Sequence, residues 1–158
     1  GDAVIDKEDF LRLFTAFNKR LSDNYQNYSI DKMSLRLLHE QDFELVRTRR
    51  QQNAKLLYDG LSKLNNISVM FQYEDDRVPL FVPILVKKEV RNSLRDYLVS
   101  NKVYCPVHWP KSHSLPDLTG ADIFYDRELS LVCDQRYHER QMRRIVDLIK
   151  NYCNRINI

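Results

Sequence analysis

The sequence predicts an α+β fold, in which a mostly antiparallel sheet of three to four strands carries helices on one face and is preceded by N-terminal helices. Two observations lead to this prediction. Apolar residues recur at helical spacing as far as residue 64, and from residue 67 they adopt the alternation of strands. Beyond that point the patterns follow the order β-β-α-β-β-α, which favours an open sheet with its helices on one side.

Three helices are predicted before the sheet. Residues 7–24 form the first, because their large apolar side chains share one helical stripe: Phe10, Phe14, Phe17 and Leu21. A short second helix is expected near 31–38, with Ser29 or Asp31 as its N-cap. The third and longest is predicted over 40–64. These helices would lie outside the sheet unit or bridge it to something else.

The second half of the chain is predicted to form the sheet. Two runs rich in β-branched and aromatic residues, 67–73 and 79–86, flank a polar turn and indicate an antiparallel hairpin. Pro83 in the second run indicates an edge strand or a bulge. The remaining elements follow in chain order: a helix over 88–100, a short strand over 103–105, a loop, a strand over 128–132 and a closing helix over 137–153.

Length and composition exclude several classes of function. The 158 residues fit one domain with an appended segment, and we divide them into an N-terminal helical segment, 1–38, and a C-terminal domain, 39–158. A net charge of +3 indicates no nucleic-acid surface, and three glycines provide no phosphate-binding loop. No apolar run is long enough for a membrane span, and three cysteines without paired spacing indicate a reduced, cytoplasmic protein.

The segment VYCPVHWP, residues 103–110, concentrates chemically reactive side chains. Cys105 and His108 have the residue types of a nucleophile and its base, but their spacing does not bring them together. A zinc site would need more ligands, and no recognisable spacing supports the set Cys105, His108, His113 and Cys133. Cys105 is better explained as a small buried residue at a strand end. For His108 and Trp109 two roles stay open, loop packing and ligand binding.

Charged residues provide weaker candidates. The cluster RTRR, residues 47–50, has the charge of a phosphate site, but a solvated helix face paired with acidic neighbours explains it better. In CDQRY, residues 133–137, the fork of Arg136 suits a carboxylate, although the segment also fits a helix start capped by Asp134. Three aspartates are spaced too loosely to indicate a hydrolytic pair: Asp117, Asp122 and Asp126.

Three segments carry a combined pattern. DFELVRTRRQQNAKLLYDGL, residues 42–61, contains R..NA..L...L along a long helix. VPLFVPILVKKEVRNSLRDYLVSNKVYCPVHWP, residues 78–110, joins a strand, a helix and a P.H loop. ELSLVCDQRYHERQMRRIVDLI, residues 128–149, follows LSLPCD.RY....M..I...I except at Val132, where the pattern has Pro. In this order they resemble the small domain of fold-type I pyridoxal-phosphate enzymes, most closely the DegT-type sugar aminotransferases.

The resemblance implies a small domain that forms one wall of an active site and is inactive alone, in a protein of sugar-nucleotide or polysaccharide biosynthesis. The residues expected to contact substrate are Tyr104, His108, Trp109 and, as a weaker candidate, Arg136. Family members hold pyridoxal phosphate in a large domain through a Schiff-base lysine. None of the ten lysines here matches that context, so we expect no cofactor in this chain and pyridoxal phosphate in the full-length protein.

The expected partners follow from the same resemblance. They are the large cofactor-binding domain, an amino-sugar or amino-acid substrate, and a second copy of the chain if the apolar stripe of residues 7–24 pairs with itself. Whether the chain belongs to an active enzyme stays open. The alternative is a non-catalytic α+β module that binds a small ligand or a protein.

Overall fold

The computed structural model describes residues 6–74, 76–108, 120 and 122–156. It confirms the α+β class and divides between Gln41 and Asp42 into two compact units. The helices are α1 (Lys7–Asn24), α2 (Lys32–Glu40), α3 (Phe43–Leu61), α4 (Lys88–Ser100), α5 (Asp122–Arg127) and α6 (Glu139–Arg155), with a 3₁₀ turn at Tyr25–Asn27. The strands are β1 (Ser68–Val69), β2 (Phe81–Leu85) and β3 (Glu128–Val132).

The first unit contains two amphipathic helices whose apolar side chains are exposed. The Asp6 carboxylate caps α1 by accepting from the backbone N–H of Glu8 at 3.2 Å. Asp31, rather than Ser29, caps α2, since its Oδ1 accepts from the N–H groups that open the helix. Both helices were predicted and are confirmed. The unit buries none of their residues, so the stripe of Phe10, Phe14 and Phe17 remains open.

The long helix begins later than predicted. The backbone is extended at Gln41, and the Asp42 Oδ1 accepts from Leu45 N at 2.9 Å, so α2 ends at Glu40 and α3 begins at Phe43. An aspartate followed by an apolar residue is a strong helix-start signal, and it wins over the helical spacing that continues through this point. The helix ends at Leu61 rather than residue 64.

The second unit is built on the three strands in the order β1-β2-β3, all antiparallel. Pro83 was predicted to mark an edge strand or a bulge, and both alternatives are wrong, because β2 is the central strand and pairs with β3 in an unbroken register through Pro83 and Ser130. The Pro83 carbonyl accepts from Met70 N at 3.1 Å, so its missing N–H also faces the β1 side. There β1 ends after two residues, and the longer pairing of β2 with β3 is left intact.

One face of the sheet forms the core. Val82 and Ile84 of β2 pair with Leu131 and Leu129 of β3, and all four are buried under α3, α4 and α6. The helices therefore lie on one face, as predicted. They contribute six large apolar side chains that are fully buried: Leu57, Leu61, Leu94, Leu98, Met142 and Ile149.

Three local predictions need correction. Residues 103–105 are not a strand; the chain passes the outer edge of β3, where the backbone N–H of Ser130 donates to the Pro106 carbonyl at 3.2 Å. The loop before β3 contains the short helix α5, which was not predicted. The closing helix begins at Glu139 with a capping box between His138 and Gln141, so Asp134 does not cap it.

Candidate functional site

A buried polar chain lies on the face of the sheet opposite the core. Glu128 and Ser130 alternate with the core leucines of β3, and their side chains are 0% and 1% exposed. The Ser130 hydroxyl donates to Glu128 Oε1 at 2.5 Å, and its Oγ lies 2.7 Å from Nδ1 of His108. The three side chains form a continuous hydrogen-bonded chain from the sheet interior to an exposed imidazole.

The His108 ring is held in place by packing as well as hydrogen bonding. Its centroid lies 4.1 Å from that of Phe81, with the two rings tilted by 58°. Phe81 is the first residue of β2 and pairs with Val132, so the imidazole rests on the end of the sheet. A rigid strand pair thus positions an exposed titratable side chain, the arrangement that binding sites favour.

Glu128 is the least satisfied polar group of the described residues. Its Oε2 is buried and has no hydrogen-bond partner among them. A buried carboxyl oxygen without a donor carries a desolvation cost, and such groups concentrate at functional sites. Neither Glu128 nor Ser130 was singled out from the sequence. The available signal was the alternation in ELSLV, which places both residues on the face away from Leu129 and Leu131.

The other substrate candidates occupy different segments. Tyr104 is 69% exposed and lies between the buried residues Val103 and Cys105. Trp109, the fourth candidate, lies outside the described residues. Arg136 is exposed, but its guanidinium donates to both carboxylate oxygens of Asp134. The structure thus leaves Tyr104 open to solvent and engages the fork of Arg136 within the chain.

The ion pair between Asp134 and Arg136 is local and well formed. The Arg136 Nη2–Asp134 Oδ2 distance is 2.5 Å, and the Asp134 side chain is almost fully buried. Hydrogen bonding from the Arg136 side chain lowers the pKa of Asp134, and the same contact raises the pKa of Arg136. A ligand carboxylate would have to compete with Asp134 for this arginine.

The two cysteines considered for chemistry are buried thiols. Burial raises the pKa of Cys105 to about 11 and that of Cys133 to about 12. Such thiols are almost fully protonated near neutral pH and are poor nucleophiles and metal ligands. The described residues contain no group of three or more His, Cys, Asp or Glu side chains arranged to hold a metal ion, and His113 lies outside them.

Two of the weaker candidates, Asp126 and Arg50, have structural partners. Lys88 Nζ contacts Asp126 Oδ2 at 2.5 Å. In the RTRR cluster, Arg50 donates to Gln135 Oε1 at 2.8 Å, so it pairs with the β3–α6 connection rather than with acidic neighbours on its own helix. Asp117 lies outside the described residues.

Comparison with solved structures identifies where this fold occurs. DesV of S. venezuelae, solved with a ketimine intermediate, matches 75% of the chain with a TM-score of 0.62 and 23% identity. The aminotransferase TlmJ of Streptoalloteichus hindustanus matches 78%, with a TM-score of 0.61 and 18% identity. A sugar aminotransferase of Micromonospora echinospora matches 68%, with a TM-score of 0.61 and 18% identity.

This chain has the fold of one part of a sugar aminotransferase. The match covers 34%, 35% and 31% of those three proteins, so the chain spans about a third of their length. No protein-family model and no curated protein matches the sequence. No helix in the described part of the chain has the length and apolar character needed to cross a membrane.

Within this aminotransferase fold, two of the sequence motifs are joined by hydrogen bonds. Asn53 belongs to the R..NA motif of α3 and is buried. Its side-chain amide donates to the carbonyls of Asp134 at 2.9 Å and Tyr137 at 3.0 Å, within the CDQRY segment. Arg50 adds the contact to Gln135 described above. The two motifs together therefore fix the connection between β3 and α6.

The nine lysines that the structure describes do not fit a Schiff-base site. A cofactor-binding lysine is held in a pocket where its amine loses a proton readily. Eight of the nine described lysines are exposed, and Lys150 is half-buried. Lys55 and Lys88 are engaged by Asp59 and Asp126. We therefore derive no step through pyridoxal phosphate from the described residues.

A separate cavity of about 320 Å³ lies between α3 and the two strands that follow it. Its lining is mostly apolar and includes Tyr58, Val69, Phe71, Tyr73 and Leu80. This volume is at the lower end of the range of small-molecule pockets, about 300–1,000 Å³. Lys55 approaches one wall, with its Nζ 5.7 Å from the centroid of the Tyr73 ring.

Proposed function

We propose that this chain is the C-terminal small domain of a pyridoxal-phosphate-dependent, aminotransferase-like protein of sugar-nucleotide or polysaccharide biosynthesis. It forms one wall of the active site and is inactive alone. The single observation that carries the proposal is the fold match to DesV, which covers 75% of this chain but only 34% of that one. The cofactor and its lysine would belong to a larger domain elsewhere in the protein.

The polar chain on the sheet supports the role of an active-site wall. His108 is exposed, and its ring is held by Ser130 and Phe81. Tyr104 is also exposed, and Trp109 directly follows His108 in the sequence. We propose these three as substrate contacts. Arg136 ranks below them because Asp134 engages its guanidinium.

The first half of α3 supports a missing partner domain. Its buried residues begin only at Asn53, whereas Phe43 and Leu45 are exposed large apolar side chains. A helix that leaves its own core and exposes apolar residues at its free end has the form of a bridge between domains. We propose that the large cofactor-binding domain covers this end of the helix.

The proposal is tested first on the chain alone. Added pyridoxal phosphate should give no visible absorption band of a lysine-bound cofactor, and borohydride should leave no cofactor attached to any lysine. The full-length protein should show both signals and transfer an amino group to a keto sugar. A lysine-bound cofactor on the isolated chain would overturn the proposal that the cofactor and its lysine belong to another domain.

The wall is tested in the full-length protein. His108→Ala should lower kcat/KM for the sugar substrate and leave the cofactor band unchanged. His138→Asn is the matched control, because it removes another exposed imidazole and keeps a good helix cap. Equal effects of the two substitutions would contradict the role of His108.

The cavity beside α3 favours a second candidate function, a non-catalytic module that binds an apolar ligand. A naphthalene sulfonate probe would then shift the NMR signals of residues that line it, such as Tyr58 and Phe71, and Tyr58→Ala would abolish the shifts. An open reading frame that lacks an upstream lysine-bearing domain would favour this function. The presence of that domain would favour the aminotransferase.

A further inference from the structure

We propose that Ser130 and Glu128 are positioning residues that hold the neutral His108 as the tautomer with its proton on Nδ1. A serine hydroxyl has one proton, and Ser130 donates it to Glu128 Oε1 at 2.5 Å. In its 2.7 Å contact with His108, the Ser130 Oγ can therefore only accept. The donor of that hydrogen bond is Nδ1–H, and Nε2 carries the lone pair.

Burial makes the direction of the Ser130 hydroxyl hard to reverse. Ser130 and Glu128 are fully buried, so water does not exchange freely for either partner. Among the described residues Glu128 Oε2 has no hydrogen-bond partner, so turning the serine proton toward His108 would deprive the carboxyl group of a donor at Oε1 as well.

Packing fixes the orientation of the imidazole along with its tautomer. The Phe81 ring lies against that of His108, and the Pro106 carbonyl two residues earlier accepts from the backbone of Ser130. The strand pair thus contacts the ring at Ser130 and Phe81 and holds the chain two residues before it by a backbone hydrogen bond. Residues that support a ligand-contacting side chain in this way fix both its orientation and its tautomer.

The tautomer determines what His108 can bind, a consequence that rests on the proposed function. A lone pair on Nε2 accepts a hydrogen bond from a hydroxyl or an ammonium group and offers no donor to a carboxylate or phosphate. We therefore assign to His108 the hydroxyl or amino groups of a sugar substrate. The anionic part of such a substrate would need other residues.

The tautomer is measured by long-range ¹H–¹⁵N correlation spectra of the isolated chain, which has only four histidines. The spectra are recorded at about pH 8, above the usual histidine pKa of about 6.5. The His108 signals are identified by their loss in His108→Gln. We expect a pyrrole-type shift for Nδ1 and a pyridine-type shift for Nε2. The opposite pattern would overturn the proposal without affecting the proposed function.

Three variants separate positioning from a merely structural role. Ser130→Ala should move His108 toward the mixed tautomers of an unconstrained imidazole, and Ser130→Thr should restore Nδ1–H because it keeps the hydroxyl. Ser100→Ala is the control, since that serine is exposed and donates to the Tyr97 carbonyl. Persistence of the Nδ1–H form in a folded Ser130→Ala variant would exclude the positioning role. If that variant does not fold, the wild-type spectrum decides.

The ligand assignment is tested in the full-length protein with glucosamine and with inorganic phosphate as probes. Glucosamine should shift the Nε2 signal of His108, and phosphate should not. A shift with phosphate alone, or with neither probe, would overturn the ligand assignment. Either result would leave two other conclusions untouched. The tautomer is decided by the spectra of the isolated chain, and the cofactor chemistry is decided by the absorption band of the full-length protein.

Discussion

The side-chain amide of Asn53 donates a hydrogen bond of 2.9 Å to the main-chain carbonyl of Asp134, which lies 81 residues further along the chain. A second bond reaches Tyr137. Asn53→Ala would leave these buried carbonyls without their donor, and an unsatisfied buried acceptor costs about 1–3 kcal/mol. We expect the free energy of unfolding to fall by this amount, as measured by urea denaturation.

The neighbouring residue provides the control for this prediction. Gln52 is exposed on the same helix, so Gln52→Ala should change the free energy of unfolding by less than about 0.5 kcal/mol. Asn53→Asp should destabilise like the alanine variant, since a carboxylate cannot donate to a carbonyl. Equal stability of Asn53→Asp and the wild type would show that the hydrogen bonds do not hold the connection.

Elements with a single strong signal were predictable from the sequence. The helix predicted over 88–100 is α4, and the strand predicted over 128–132 is β3, because each has one clear period and no competing cap. The predicted long helix was wrong at its start because the capping preference of Asp42 opposes continued helical spacing. The edge strand or bulge predicted from Pro83 was wrong, because the neighbouring strand β1 has only two residues and the sheet tolerates the missing N–H donor on that side.

The candidate site was less predictable than the fold. His108 could be selected because a histidine in a loop after a strand is chemically conspicuous. Its partners could not, since Ser130 lies 22 residues away and their contact depends on the path of residues 103–108 along β3. Alternation places Glu128 on the non-core face, but nothing in a local pattern says what covers that face.

Gly60 marks a close approach of α3 to α6. A Cβ added there would lie 2.7 Å from both Cγ atoms of Val146, a buried β-branched residue with one favoured helical rotamer. Gly60→Ala should therefore destabilise by about 1–3 kcal/mol, despite the gain of about 1 kcal/mol in helix propensity. Thermal unfolding followed by circular dichroism measures the effect.

A double-mutant cycle tests the cause of that change. Val146→Ala removes the two Cγ atoms and should relieve the clash, so the double variant should be more stable than the sum of the two single effects predicts. Strict additivity would show that contact with Val146 is not the cause of the Gly60→Ala effect.

Arg136→Ala should weaken the loss of unfolding free energy that the wild type shows as the pH falls. The Arg136 side chain lowers the pKa of Asp134, so this pair stabilises the fold above the ordinary carboxyl pKa of 3.8 and loses its effect as the pH falls through the lower folded value. At neutral pH the variant should be less stable than the wild type, and the two should converge as the pH falls below the lowered pKa of Asp134. Arg140→Ala is the control, because Arg140 is an exposed arginine of α6. Its unfolding free energy should depend on pH in the same way as that of the wild type.

The buried thiols predict a loss of stability in alkali. Burial raises the pKa of Cys105 to about 11 and that of Cys133 to about 12, from 9.0 for an exposed thiol. Their contribution is therefore fully present below pH 9.0 and is lost as the pH rises through the folded values. The unfolding free energy should fall by about 1 kcal/mol per pH unit for each thiol, from about pH 9 to about 11 for Cys105 and from about pH 9 to about 12 for Cys133.

The double variant Cys105→Ala and Cys133→Ala isolates this effect. It should be less stable at pH 7, because each substitution leaves a small cavity, and should show a shallower decline in alkali. Iodoacetamide at about pH 8 should label neither thiol in the folded protein and both in urea, since only the thiolate reacts. Rapid labelling of Cys105 in the folded chain would contradict its burial and would reopen the hypothesis that Cys105 and His108 act as a pair.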